Sequence, residues 1–220
     1  MRGLGLHLER LEGATAELFG RPLDPGRVRG YLRQALDGIP DASARVYIFW
    51  PDEDAESTIV VTVRPPAPAP SAPLSLQSVP YQRPVAHLKH LGGFGQTYYG
   101  RLAERNGFDD ALLTGPGGVI AEAAIANIAF FDGASVVWPD APHLPGIAMQ
   151  LVEPRLAAAG LPSRRGPVRL ADLPAYSGAF VTNSHGIGPV GRIDDVRLPV
   201  DEDLMKTVLD VYASVAWDDI

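Results

Sequence analysis

The chain has 220 residues, 46% of them hydrophobic and 20% charged, with a formal net charge of −7 and no cysteine. That length can bury the core of one large domain or two small ones, and the acidic balance argues against a nucleic-acid partner, because phosphate backbones select basic surfaces. Without cysteine there are no disulfides, thiolate metal sites or thiol nucleophiles, and the absence of a membrane-length apolar run or a signal-peptide block predicts a cytoplasmic protein with no membrane partner.

Leu4, Leu8, Leu11 and Leu18 recur at helical spacing up to Gly20 and predict a first amphipathic helix. Asp24-Pro25 supplies an N-cap and a proline at the first helical position, and Val28, Leu32 and Leu36 line one face before Gly38. Arg45 to Trp50 and Thr58 to Val63 are rich in β-branched and aromatic residues and flank the acidic Pro51-Asp52-Glu53-Asp54, which predicts a strand hairpin. Five prolines then fall between Pro65 and Pro73, where each removes an N–H and fixes φ. The expected organisation is a small α+β domain over 1–66, a proline-rich connection over 67–80 and a larger domain over 81–220.

Within the larger domain, residues 93–106 suit a helix ended by Gly107. Strands are predicted at Ala111 to Leu113, Val119 to Ala123, Asn127 to Phe131 and Ser135 to Trp138, with turns at residues 115–118 and at Asp132-Gly133, giving an antiparallel meander. Pro145-Gly146 opens a helix that Pro154 kinks, and Asp201 caps a last helix carrying Leu204, Val208, Val211 and Val215.

Lysine is nearly absent: arginine supplies 17 of the 19 basic residues, leaving Lys89 and Lys206. Lys89, between His87 and His90 and ahead of Gly92, Gly93 and Gly95, reads either as a solvated surface charge or as a Schiff-base amine, for which a partly buried lysine is the usual device. His87 and His90 could share a helical face, but no acidic residue stands beside them to complete a metal site. Ser184-His185 lacks the Gly-x-Ser-x-Gly elbow of a hydrolase, and the glycine run fails the dinucleotide fingerprint because Tyr98 stands at the third glycine position. Leu144-Pro145-Gly146-Ile147 leads into a helix whose first N–H groups can take an anion. Glu122 sits in the apolar stretch Val119 to Ile128. It either faces solvent at an alternate strand position or, if buried, needs a cationic or protonated partner.

Together these pieces resemble the class IV aminotransferases, the fold-type IV pyridoxal-phosphate enzymes that include branched-chain and D-amino acid transaminases and aminodeoxychorismate lyase. The resemblance runs over nearly the whole chain: His7-Leu-Glu-Arg-Leu11, Lys89-His-Leu91, Gly118-Val-Ile-Ala-Glu122, Asn127-Ile128, Leu144-Pro-Gly-Ile147 and Phe180-Val-Thr-Asn-Ser184, in the family's order and spacing. It implies an α+β fold with an antiparallel pseudo-barrel, pyridoxal 5'-phosphate as cofactor and a homodimer. Carried over residue by residue, Lys89 is the lysine that binds the cofactor as a Schiff base and then shuttles the proton. Glu122 pairs with the pyridine nitrogen. Arg10 holds the phosphate, with Ile147 and Ala148 N–H groups and the Asn183-Ser184 turn completing the cup, and Asn127 stabilises the backbone around Glu122. The glycines after Lys89 are expected to let backbone pass close to a flat ring.

Three departures bear on substrate. Family members begin with a further strand segment carrying a Glu-Thr-x-Arg-like sequence, whereas Met1 already stands at the first helix; either a segment precedes this start or the pocket is unusually open. Ala148-Met149 stands where many relatives have Thr-Arg. Phe94 replaces the tyrosine of branched-chain members, against that specificity. The resemblance implies a transaminase working on an amino acid or amine and a 2-oxo acid. The alternatives are a 4-amino-4-deoxychorismate lyase, which Lys89-His90-Leu91 suggests, and a catalytically degenerate homologue that binds the cofactor.

Overall fold

The structure, a computed structural model, describes residues 1–51, 56–70 and 72–220. Helix α1 (Leu4–Phe19) ends where Gly20 takes a left-handed φ of 67° and its N–H returns to the Ala16 carbonyl. Helix α2 (Pro25–Leu36) starts on Asp24, whose side chain accepts the Gly26 N–H. Strands β1 (Ser43–Phe49) and β2 (Thr58–Arg64) pair antiparallel, from Ser43 opposite Arg64 to Phe49 opposite Thr58; the acidic turn expected at Asp52, Glu53 and Asp54 lies outside the described residues. Leu4, Leu8, Leu23, Val28 and Leu32 form the buried cluster of this unit. Leu18 keeps the helical spacing but is exposed, beyond Thr15, the last buried residue of α1.

The chain divides into two units, Met1–Pro68 with Ala216–Ile220, and Ala69–Val215. The C-terminal residues are tied into the first: Asp218 Oδ2 accepts the Leu4 N–H at 2.8 Å, and Arg33 Nε donates to the Ile220 carbonyl at 2.7 Å. A carboxylate at the start of α1 satisfies a donor that the helix itself leaves open.

The second unit contains β3 (Leu74–Val79), α3 (Phe94–Arg105), β4 (Asp110–Thr114), β5 (Ile120–Ala123), β6 (Asn127–Phe131), β7 (Val136–Pro139), α4 (Ile147–Val152), β8 (Ser163–Gly166), β9 (Gly178–Asn183), β10 (Gly186–Ile193), β11 (Val196–Arg197) and α5 (Glu202–Ala213). One sheet runs in the order β5-β4-β3-β10-β9-β6-β7-β8, with β11 on β10. It is mixed: β3 runs parallel to β4 and β10, and β7 to β8. The sheet curls into a half-barrel, so that β5 and β6, at separate places in its order, meet where the Ala123 N–H donates to the Ala126 carbonyl. Leu76, Leu112, Ile120, Ile128, Phe130 and Val181 fill one side of the sheet. Trp138, Phe180, Met149, Leu156 and Val208 form a second cluster that includes residues of α4 and α5. Burying each of the larger side chains contributes roughly 1.5–3 kcal/mol. Among the described residues no helix is long and apolar enough to cross a membrane.

Three expectations change here. The proline-rich stretch gives way to a strand at Leu74–Val79, because no proline falls within 74–79 and the apolar Leu74 and Leu76 alternate with the polar Ser75 and Gln77. The predicted meander is two hairpins: β6 pairs with β9 rather than β5. Pro154 ends α4 as an α-helix after six residues, and the chain continues as 3-10 turns over Glu153–Arg155 and Ala157–Ala159. The strand β10 has no apolar alternation to betray it, since it carries Gly186, Gly188, Pro189 and Gly191. Its glycines answer a crossing chain: a Cβ at Gly188 would lie 2.7 Å from Pro70, and one at Gly191 3.0 Å from Pro73.

Candidate active site

Glu122 lies on β5 next to a break in register. Leu113 stands opposite Glu122 and Thr114 opposite Ile120, so Ala121 has no partner in the ladder. Such a bulge re-aims the neighbouring side chain. Glu122 is 4% exposed and therefore needs a partner. It has two: Arg83 Nη1 donates to Oε1 at 3.1 Å, and the Leu144 N–H donates to Oε2 at 3.1 Å. Burial pushes this carboxyl above its ordinary value, and Arg83, the Leu144 N–H and His143 oppose that rise.

Arg83 is the residue that sequence reasoning missed. Its guanidinium also donates from Nη1 to the Ala86 carbonyl at 2.9 Å and from Nη2 to the Leu88 carbonyl at 2.8 Å. One side chain therefore ties Glu122 to the backbone immediately before Lys89. The signal was present in the requirement that a buried Glu122 have a cationic partner; nothing in the sequence chose Arg83 from 17 arginines. The loop it holds is strained, with Val85 at a φ of 48°, a region β-branched residues avoid. His90 Nε2–H donates to the Pro84 carbonyl at 3.0 Å and closes the same loop from the other side of Lys89.

Lys89 itself is solvent-exposed, not the partly buried amine expected. The glycines after it also serve a different neighbour. A Cβ at Gly95 would run into the ring of Tyr81, so the flat ring that this backbone approaches is a side chain of the protein. Gln96, one residue later on α3, donates from Nε2 to the Ala124 carbonyl at 3.0 Å and secures the turn between β5 and β6.

Asn127 opens β6, and its Nδ2 donates to the Leu144 carbonyl at 2.7 Å. Leu144 is thus held at both polar backbone atoms, its N–H on Glu122 and its carbonyl on Asn127. Two residues on, a Cβ at Gly146 would collide with Asn127 Oδ1, so any larger residue there must displace the Asn127 side chain. This clamp fixes the approach to α4 at Ile147 and Ala148, whose side chains are buried. Asn127 also pairs with Thr182 of β9 in register, which brings the β9–β10 turn to the same side. In that turn Asn183 Oδ1 accepts the His185 N–H at 2.8 Å, and Ser184 is exposed. Arg10 stands on α1 in the first unit, half-buried, with Nη2 3.4 Å from His7 Nδ1. Beside the β5–β6 turn a cleft of about 310 Å³ is lined by Gln96, Arg101, Asp110, Ala124, Asn183 and His185, among others.

The amino-transferase class IV family model matches residues 1–193. The chain belongs to the class IV aminotransferases. No curated protein matches this family member significantly in sequence. Among solved structures it is similar to a candidate 4-amino-4-deoxychorismate lyase of Legionella pneumophila, at 19% identity over 98% of this chain and 86% of that one, with a TM-score of 0.86. A hypothetical aminotransferase from Mycobacterium tuberculosis in its PLP-bound form is 20% identical over 97% of this chain and 84% of that one, TM-score 0.84. The Escherichia coli branched-chain amino acid aminotransferase is 16% identical over 97% and 80%, TM-score 0.85. At these identities the likeness shows the shared fold.

Proposed function

We propose that this class IV aminotransferase uses pyridoxal 5'-phosphate to move an amino group between an amino acid or amine and a 2-oxo acid. The observation that carries the reading is the Arg83 bridge, whose two terminal nitrogens hold the Glu122 carboxylate and the Leu88 carbonyl immediately before Lys89. The residues fit the group. A carboxylate offers about four acceptor positions, and Glu122 has one bond on each oxygen, which leaves capacity for a ring N–H. Among the described residues the buried Arg83 Nε and Thr182 Oγ1 have no hydrogen-bond partner, the kind of open polar atoms a polar ligand or water answers.

Lys89 is the residue to carry the cofactor, and its Nζ is the group to hold and move the substrate α-proton. Glu122 is the partner of the ring nitrogen, with Arg83 and the Leu144 N–H favouring its anionic form against burial, and the anionic form favours a protonated ring nitrogen. When bound, pyridoxal phosphate supplies the electron sink for the pair left on the substrate α-carbon. Asn127 holds Leu144 and so orients both Glu122 and the Ile147 and Ala148 N–H groups, which with Asn183 and Ser184 would take the phosphate dianion. The structures similar to this one include aminotransferases with PLP bound, and one with alpha-ketoglutarate and PMP bound.

The test is single-turnover spectroscopy. Protein loaded with pyridoxal phosphate is mixed with a panel of amino acids and amines, and conversion to the pyridoxamine form, reversed by a 2-oxo acid, supports amino transfer. Pyruvate released from aminodeoxychorismate without any acceptor identifies a lyase instead. No change with any donor identifies an inert binder.

A further inference from the structure

Arg83 is 7% exposed, and its charge has only partners from the protein around it. Its two terminal nitrogens reach three acceptors that belong to different pieces of chain: the Ala86 and Leu88 carbonyls of the loop before Lys89, and Glu122 on β5. The loop needs holding, because Val85 sits at a φ of 48° and closes a turn in which the Leu88 N–H donates to the Val85 carbonyl at 2.9 Å. A left-handed β-branched residue persists only where its surroundings over-determine it. Bonds to the next carbonyl and to the carbonyl three residues on do that here. Lysine could supply the charge but not the planar fork that spans these acceptors. His143 also faces Glu122; its Nδ1–H donates to the Ala141 carbonyl at 2.6 Å, and its Nε2 lies 3.4 Å from Arg165 Nη1.

We infer that Arg83 is a positioning residue for the reaction: it sets the span between the Lys89 backbone and the Glu122 carboxylate and supplies the fixed positive charge behind that carboxylate. The inference rests on the functional reading above, since the span matters only if one ring lies between Lys89 and Glu122. Geometry and charge are separable by substitution. Arg83→Lys keeps the charge and loses the fork, whereas Arg83→Gln loses the charge.

Two measurements test this, one without cofactor and one with it. In unloaded protein, hydrogen exchange at the Leu88 amide should rise at least about tenfold in both variants, as local opening is no longer held by the fork. In protein loaded with pyridoxal phosphate, the pH midpoint of the visible band should stay near the wild-type value in Arg83→Lys and move up by about one pH unit in Arg83→Gln, because removing a nearby cation favours the protonated form. A fall in melting temperature in either variant with neither change marks Arg83 as structural only and overturns the inference. If Arg83→Gln does not fold, Arg83→Lys still decides the fork through Leu88 exchange. A wild-type protein whose borohydride-fixed adduct forms at Lys89, with variants that match it in exchange and midpoint, refutes this inference alone. A wild type that forms no adduct at Lys89 refutes the functional reading and this role with it.

Discussion

Arg83 Nη1 lies 3.1 Å from Glu122 Oε1, with 3% and 6% of the two side chains exposed. Two charges taken out of water hold each other there, and each becomes a liability if the other is removed. Truncating one partner, as in Arg83→Met or Glu122→Leu, should lower stability by about 3–5 kcal/mol. The double variant should lose less than the two single losses added, by about 1–3 kcal/mol of coupling, measured by denaturant unfolding of all four proteins.

The clamp on Leu144 gives a second interaction to test. Gly146→Ala puts a methyl group against Asn127 Oδ1 and should destabilise by about 1–3 kcal/mol, although alanine is ordinarily tolerated before a helix. Because the obstacle is a side chain, Asn127→Ala should make room. The pair Asn127→Ala with Gly146→Ala should therefore be more stable than the two separate losses predict, read from the same unfolding curves.

Asp110 opens β4 at the cleft beside the β5–β6 turn. Burial, with the like charges of Glu104 and Asp109 adding to it, lifts its carboxyl from 3.8 to about 6, against the pull of the Ala111 and Ile125 N–H groups. A folded-state value above the unfolded one means the folded protein is relatively stabilised as pH falls from about 6 towards 4, and is penalised above 6, where the buried carboxylate is ionised. Asp110→Asn keeps an oxygen for the Ala111 N–H, which Oδ1 accepts at 2.8 Å. It should raise stability by about 1–3 kcal/mol near pH 8, with the gain gone below about pH 4, as followed by melting temperature against pH.

Val85→Gly removes the steric objection to a φ of 48° but adds freedom to the unfolded chain. The two effects are of similar size, so stability should change by less than about 1 kcal/mol, where an exposed valine in an unstrained strand would lose more. Hydrogen exchange in the loop before Lys89 should quicken all the same.

Periodicity and capping made the outer frame legible. Asp24 and Asp201 cap the helices they were expected to cap, and β1 pairs with β2 as the β-branched runs imply. β3 was hidden by the prolines just before it, and β10 by glycines whose purpose is visible only once Pro70 and Pro73 cross them. The pairing of β6 with β9 rests on contacts between residues some fifty apart, which no local pattern encodes. At the site, Glu122 was legible as a carboxylate in an apolar run that needed a partner. Arg83 was not, because its role comes from two carbonyls whose directions are set by a strained turn.

The central claim is that Lys89 carries the cofactor, and the chain makes it unusually easy to test because the other lysine, Lys206, is exposed and paired with Asp210 at 2.8 Å on α5. Protein incubated with pyridoxal phosphate is reduced with borohydride, digested and mapped by mass spectrometry. The account predicts a phosphopyridoxyl adduct on the peptide containing Lys89, with loss of the visible band in Lys89→Ala. An adduct found mainly on Lys206 or the N-terminal amine, or a band that survives in Lys89→Ala, would contradict it.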